Sequence, residues 1–254
     1  MKNFNPEIET KNIIKFIKNH YKENKCNGAV IGISGGKDSA VVAALFVNAL
    51  GKENVVGVWM PCHSKTEDMK DAQEIANYFG IKLLNFDLTN TYDCFKEEVR
   101  KTLKPSKDET INPDINLKPR LRMATLYYIT AFLSSKTKKQ YLVVGTSNKA
   151  EIFVGYFTKW GDGGNDIATI ADYTVEEVIK IGEYLDVPKS ALYKTPDDGL
   201  SGKSDEEKLG VKYSEIATYM ENPKKVPAEI GNKIKKLHEG SMHKFNIPTY
   251  RREL

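Results

Sequence analysis

The sequence predicts an α/β protein, a doubly wound parallel sheet flanked by helices. Three observations lead there. Short, almost wholly apolar runs recur: "GAVIGIS" (28–34), "NVVGVWMP" (54–61), "KLLNFDL" (82–88) and "QYLVVGTS" (140–147). Runs of that length without alternation read as strands buried on both faces. Helical stretches fall between them, the order that builds a parallel sheet. The first run also passes through glycines into a helix, which puts a phosphate-sized turn at the carboxyl edge of the sheet.

The elements follow in order. Residues 6–23 set Ile13, Ile14, Ile17 and Tyr21 at helical spacing with lysines between them, an amphipathic helix. The strand 28–34 leads to a helix over 38–51, ended by Gly51. After the strand 54–61, "KTEDMKDAQEIANYFG" (65–80) is an acid-started helix ended by Gly80. The strand 82–88 precedes a helix over 90–103, and the polar stretch 104–114, with Pro105 and Pro113, reads as a loop. "NLKPRLRMATLYYITAFLSS" (116–135) reads as a long helix starting near Pro119. Its later half is apolar on nearly every side, which predicts burial in the core or against another subunit. The strand 140–147 is followed by a helix over 174–188, stopped before Pro188. Residues 195–210 form a charged loop rich in Gly, Asp and Ser, and two short helices follow at 213–221 and 227–239. With no internal repeat and no low-complexity linker, residues 1–254 read as one domain.

Composition narrows the class. The chain is 40% hydrophobic and 28% charged, ordinary for a globular protein. A net charge of +4 suits an anionic small ligand as well as a nucleic acid and decides nothing. There is no basic stripe with interleaved aromatics, so no nucleic-acid partner is expected. Cys26, Cys62 and Cys94 are odd in number and far apart, against a disulfide framework or a structural zinc site. The N-terminal stretch lacks a signal-peptide apolar core, and no run approaches membrane-spanning length. A cytoplasmic protein with no membrane partner is the expectation.

The glycine turn carries the most chemistry. It fits neither familiar phosphate loop: the P-loop's first glycine would fall on Ile31, with Asp38 where Ser or Thr should hold magnesium. The dinucleotide fingerprint started at Gly32 would need its second glycine at Ser34. What remains is S-G-G-x-D-S, Ser34 to Ser39. Gly35 and Gly36 admit close backbone approach, and the serines offer hydroxyls. Asp38 would repel a phosphate unless a cation lay between them, so it predicts Mg²⁺. The plain alternative is a tight turn with Asp38 as a helix N-cap.

This stretch resembles the pyrophosphatase-loop ATPases, of adenine nucleotide alpha-hydrolase-like, Rossmann-like fold. These cleave ATP between its α- and β-phosphates. Four further stretches, "NLKPRLRM" (116–123), "GTSNKAEIFVGYFTKWGDGGND" (145–166), "SDEEKLG" (204–210) and "MHKF" (242–245), are similar to the NAD synthetase family in that family's order. The resemblance implies an ATP-dependent amidation of deamido-NAD to NAD with ammonia, the last step of NAD biosynthesis. The nicotinate carboxylate is adenylated, and pyrophosphate and then AMP leave. It implies ATP contacts at Gly32, Ile33, Ser34, Gly35, Gly36, Lys37, Asp38, Ser39 and Thr146. It makes Asp38 and Glu151 the catalytic pair of magnesium carboxylates. It puts deamido-NAD on Arg120, Lys159, Asp166, His243 and Lys244. It also implies a homodimer with the substrate at the shared interface.

Each residue has a blander reading: Glu151 as a solvated helix acid, Arg120 and Arg122 as surface charges, Lys159 on an aromatic face. His243 and Lys244 carry the weakest pattern, and His238 and His243 are poorly spaced for a metal. Two positions depart from the family. Val175 stands where a lysine often meets ATP phosphates, with Lys180 one candidate replacement, and Asp197 stands where a small hydroxyl residue follows the proline. The stretch 199–210 resembles a mobile lid whose Lys203 would reach a phosphate. The phosphate-loop strand starts near Gly28, so no fused glutaminase domain is expected and free ammonia is the expected donor. The rival readings are another pyrophosphatase-loop enzyme acting on a nucleotide or tRNA, and a nucleotide-binding homologue without catalysis.

Overall fold

The strands β1 (Cys26–Gly32), β2 (Val55–Trp59), β3 (Lys82–Asn85), β4 (Gln140–Gly145) and β5 (Ile167–Ala168) pair in parallel in the order β3-β2-β1-β4-β5. The computed structural model describes residues 4–64, 66–194 and 204–252, with backbone alone at 66 and 67. The register runs Ile31↔Gly57 on one side of β1 and Ile31↔Val144 on the other. The chain adds β2 and β3 on one side of β1 and then returns to lay β4 on the other. That reversal is the switch point where open α/β sheets open a crevice at their carboxyl ends.

Successive β1 side chains point to opposite faces. Ala29 and Ile31 enter one core with α1 (Pro6–Glu23), α2 (Lys37–Leu50), α3 (Thr66–Phe79), α7 (Val175–Tyr184) and α8 (Lys189–Leu192). Val30 enters the opposite core with α4 (Thr89–Leu103) and α5 (Ile111–Thr137). α2 is buried without interruption from Ser39 to Phe46. Each of its large apolar side chains contributes about 1.5–3 kcal/mol by leaving water. α1 is only half-buried and starts on an Asn5 cap that accepts from Ile8 N–H, with Pro6 in its first turn.

A third cluster joins α6 (Lys149–Val154) to α9 (Asp205–Leu209), α10 (Tyr213–Glu221) and α11 (Ala228–Ser241). Gly155, at φ +66, ends α6 where an added Cβ would lie 2.1 Å from Ser241 Cβ. The close approach of α11 therefore requires a glycine there.

Several boundaries differ from the sequence expectation. α5 begins at Ile111, so Pro113 sits in its first turn, where its missing N–H costs nothing, and Pro119 lies inside the helix. The later half of α5 is not buried all round in this chain: Ile129 and Thr130 are buried, while Tyr128 and Phe132 are exposed. α7 ends at Tyr184, and Pro188 caps the separate turn α8. The stretch 205–209 is helical rather than loop, held by a Ser204–Glu207 capping box. The two-residue β5 and the short α6 were not expected. Asp197 and Lys203 lie outside the described residues.

Candidate active site

The turn after β1 is closed by its own serines. Ser39 Oγ donates to Gly36 O at 3.0 Å and lies 3.2 Å from Ser34 Oγ, which in turn accepts from Gly36 N–H at 3.3 Å. Gly35 has φ +85, and a Cβ there would stand 2.8 Å from Asp71 Cβ. Gly36 is the N-cap of α2 with no side-chain cap, so Asp38 is not the N-cap. The first-turn N–H groups of α2 have no partners within the helix and face the crevice with the positive end of its dipole. Gly32 and Ile33 bring the chain up to this turn, Ile33 N–H extending the β1–β2 ladder to Val58 O at 2.9 Å.

Asp38 meets two neighbours. Lys37 Nζ donates to Asp38 Oδ2 at 3.1 Å, and both side chains are largely buried. The second neighbour comes from the end of β4, the strand beside β1. There Thr146 and Ser147 lead to Asn148, the N-cap of α6, whose Oδ1 accepts from Ala150 and Glu151 N–H. Glu151 completes this reciprocal cap by accepting from Asn148 N–H at 3.1 Å. The Asn148 amide lies against Asp38 and favours its charged form. Asp38 Oδ1 and Asn148 Nδ2 nevertheless make no hydrogen bond of regular geometry and are shut off from solvent.

The electrostatics agree with that shortage. Burial pushes the Asp38 carboxyl above the usual range, with Lys37 opposing it. Burial, then the Asp38 charge, pushes Glu151 well above its usual value. Two neighbouring carboxylates that both resist ionisation, one with an orphaned oxygen, match the hard oxygen donors a divalent cation takes. Mg²⁺ fits this pair: Asp38 and Glu151 would hold it, Glu151 keeping one oxygen on the α6 cap. Among the described residues no three His, Cys, Asp or Glu side chains group closely enough to bind one ion together.

The residues expected at the nicotinate end fall into two places. Arg120 Nε donates to Lys159 O at 3.3 Å, Lys159 Nζ to His243 O at 2.6 Å, and Lys244 Nζ to Gly155 O and Phe157 O at 2.7 and 2.6 Å. These four residues form one connected knot around the 155–163 turn. Lys159 also lies over the Trp160 ring and Lys244 over Phe157. Asp166 stands apart from the knot. It accepts from Tyr127 OH at 2.9 Å and from Val143 N–H at 2.8 Å, tying α5 to β4. Tyr127 is about 10 Å along α5 from Arg120 on the same face.

Other expected roles resolve differently. Arg122 is no surface charge: it is half-buried, donates to Met60 O at 3.0 Å, and burial lowers its proton affinity. Lys180 pairs with Glu176 on the exposed side of α7. His238 stacks on Phe153 at 4.2 Å between centroids. Sequence reasoning missed Asn148, Tyr127, Tyr156 and Tyr213. Of these only Asn148 had a local signal, the Asn-x-x-Glu pattern of a capping box.

Comparison with known proteins gives a consistent result. The family model for NAD synthase matches residues 9–248. The NH(3)-dependent NAD(+) synthetase of Carboxydothermus hydrogenoformans is 38% identical over 96% of this chain and 97% of its own length. Among solved structures, NMN synthetase from Francisella tularensis superposes with a TM-score of 0.86 at 31% identity. It covers 99% of this chain and 100% of its own. The NH3-dependent NAD synthetase from Campylobacter jejuni gives 0.78 at 25% identity, with 98% and 100% coverage.

Proposed function

Since the chain belongs to the NAD synthase family, we propose that it makes NAD from deamido-NAD, ATP and ammonia. The nicotinate carboxylate attacks the α-phosphate, pyrophosphate leaves, and ammonia displaces AMP from the acyl-adenylate. The observation that carries this reading is the Asp38–Glu151 pair beside a serine-clasped glycine turn at the sheet's switch point. The α6 cap accounts for one oxygen of Glu151 and Lys37 for one oxygen of Asp38, but neither contact requires this pair of carboxylates to be buried side by side. Its free oxygens and the N–H groups of α2 meet the two needs of a triphosphate, a bridging cation and anion-binding donors.

The residues divide the work. The turn from Gly32 to Ser39 holds the β- and γ-phosphates, the part of ATP that departs. Thr146, at the end of β4, contacts the nucleotide across the crevice. When bound at Asp38 and Glu151, Mg²⁺ neutralises phosphate oxygens and the charge that develops as the bond to the α-phosphate breaks. Lys37, which donates to Asp38 Oδ2, would be placed to pair with phosphate oxygens if Asp38 were engaged by the cation. Arg120, Lys159, His243 and Lys244 bind the dinucleotide, and Asp166 orients it through α5. Ammonia as donor is supported by the names of the relatives.

We assign residues 1–254 to a single synthetase domain that acts as a homodimer in the cytoplasm. The dimer reading rests on the exposed apolar side chains of α4 and α5, Phe95, Val99, Tyr128 and Phe132. The cytoplasmic reading rests on Cys26, Cys62 and Cys94, all free thiols.

A second reading is favoured by the Francisella structure: the substrate is the nicotinate mononucleotide and the product NMN. Both readings use the same phosphate end and differ at the knot around Arg120. The deciding experiment gives the purified protein ATP, Mg²⁺ and ammonium with either substrate and follows product by chromatography. A kcat/KM at least ten times higher for deamido-NAD is expected. Preference for the mononucleotide would transfer the assignment to NMN synthesis.

A further inference from the structure

The Asp38–Glu151 pair has a third acidic neighbour that the reaction above leaves without a part. Asp205 opens α9, directly after its Ser204 cap. Tyr156 OH donates to Asp205 Oδ1 at 2.9 Å, and Tyr156 N–H donates to Glu151 O at 2.8 Å. One residue therefore ties the Glu151 turn to Asp205. Tyr213 opens α10 and is anchored by its N–H on Glu206 Oε1 at 2.8 Å. Only 7% of Tyr213 is exposed, and its hydroxyl is buried with no hydrogen-bond partner.

Burial, then the nearby groups Glu151, Asp205, Tyr156 and Asp38, raises the proton affinity of that hydroxyl, so it lies against the acidic cluster. Asp205 in turn acts on both Asp38 and Glu151. Asn148, 0% exposed, lies at the same place with its amide against Asp38 but in no regular hydrogen bond. Packing makes the placement firm. Leu209, Val211, Tyr213 and Ile216 share one core with Ala150 and Val154 of α6, the helix that carries Glu151. Orphaned donors and acceptors facing three carboxylates describe a space for something polar and cationic. Yet no three of the acidic groups are close enough to ligate one ion together.

Mg²⁺ resolves this, because it dehydrates reluctantly and keeps several waters. We propose that Asp205 and Tyr213 are positioning residues for the cation of Asp38 and Glu151, holding its outer water layer rather than the ion itself. Asp205 accepts hydrogen bonds from those waters, and the Tyr213 hydroxyl bonds to one of them. The inference rests on the cation reading of Asp38 and Glu151. It also gives the α9–α11 layer a task, the presentation of two polar groups to the phosphate end.

The test uses Mn²⁺ as probe, its free-ion signal followed by electron paramagnetic resonance, on the full chain without nucleotide. Wild type binds Mn²⁺, and Asp38→Asn loses it. Asp205→Asn weakens it about 10-fold, the usual scale for outer ligands, and Tyr213→Phe weakens it less. Tyr156→Phe removes the hydrogen bond to Asp205 but keeps its carboxylate, and weakens Mn²⁺ binding less than Asp205→Asn does. The melting temperature without metal adds a second readout. Asp205→Asn does not lower it, because Asn keeps an oxygen to accept from Tyr156 OH. Wild-type affinity for Mn²⁺ in Asp205→Asn, together with a lowered melting temperature, would reduce Asp205 to a structural partner of Tyr156 and overturn the proposal. Failure of wild type itself to bind Mn²⁺ would overturn the cation reading beneath it.

Discussion

The two ends of the site are built on opposite terms. At the proposed phosphate end, the Tyr213 hydroxyl is buried with no partner, and Asp38 Oδ1 and Asn148 Nδ2 lie buried side by side without a regular hydrogen bond. At the proposed nicotinate end, Arg120, Lys159 and Lys244 lie near the surface, and each donates to a backbone carbonyl of the same chain. The first end carries electrostatic tension, while the second is largely satisfied, burial only lowering the proton affinity of Lys244. A buried unmet group marks a place where binding relieves a standing cost. A satisfied surface cation binds only by exchanging one acceptor for another. The phosphate end should therefore show large effects on chemistry, and the nicotinate end moderate effects on affinity.

The largest expected effect is at Asp38. Asp38→Asn should lower kcat/KM by roughly 10³-fold, the scale of losing an ion's hold on a developing charge. The same variant should raise the melting temperature of the metal-free protein at neutral pH, because burial holds the Asp38 carboxyl above its usual range, so its charge opposes folding, while Asn keeps an oxygen for Lys37 Nζ. Activity down with stability up, read by kinetics and calorimetry on one preparation, is the signature of tension. A fall in both would remove the contrast.

Next comes Arg120. Arg120→Ala should raise KM for deamido-NAD by about 10–100-fold, the worth of a charged hydrogen bond, with KM for ATP and the melting temperature nearly unchanged. A loss concentrated in kcat would place Arg120 with the chemistry instead.

Gly35→Ala tests the turn itself. Its φ of +85 and the 2.8 Å approach of Asp71 make the substitution destabilising by about 1–3 kcal/mol, measured by denaturant unfolding. The smallest effect is expected on the α5 surface. Phe132→Asp should leave the fold intact and convert a dimer to monomers in sedimentation, with KM for the dinucleotide rising. An unchanged sedimentation profile would remove the shared-interface reading.

How much of this was legible in the sequence depended on locality. The β1–turn–α2 unit could be read because an apolar run, two glycines and a buried helix are adjacent, and Asp38 stands out as an acid among phosphate donors. Glu151 as a cation carboxylate is implied by the family resemblance; its local pattern marks a helix cap, which the structure shows it to be. α5 was started too late because prolines at 113 and 119 resemble breaks, though a first-turn proline lacks only an N–H the helix does not use. β5 has two residues, too few to show any periodicity. Asp205 and Tyr213 reach Glu151 only through the packing of Leu209, Val211 and Ile216 on α6, a contact no spacing rule encodes. Arg120, Lys159 and Lys244 are implied as substrate contacts by the family resemblance alone; that they meet one another through backbone carbonyls follows from the fold, not from any spacing.

The most direct single measurement is isotope exchange between labelled pyrophosphate and ATP without ammonia. Exchange requires reversible adenylation and isolates the phosphate end from the amide-forming step. Expected is exchange that needs both Mg²⁺ and deamido-NAD, vanishes in Asp38→Asn, and returns in Arg120→Ala once the dinucleotide is raised. Exchange that persists in Asp38→Asn, or that ignores the dinucleotide, would contradict the assignment of adenylation to this buried pair.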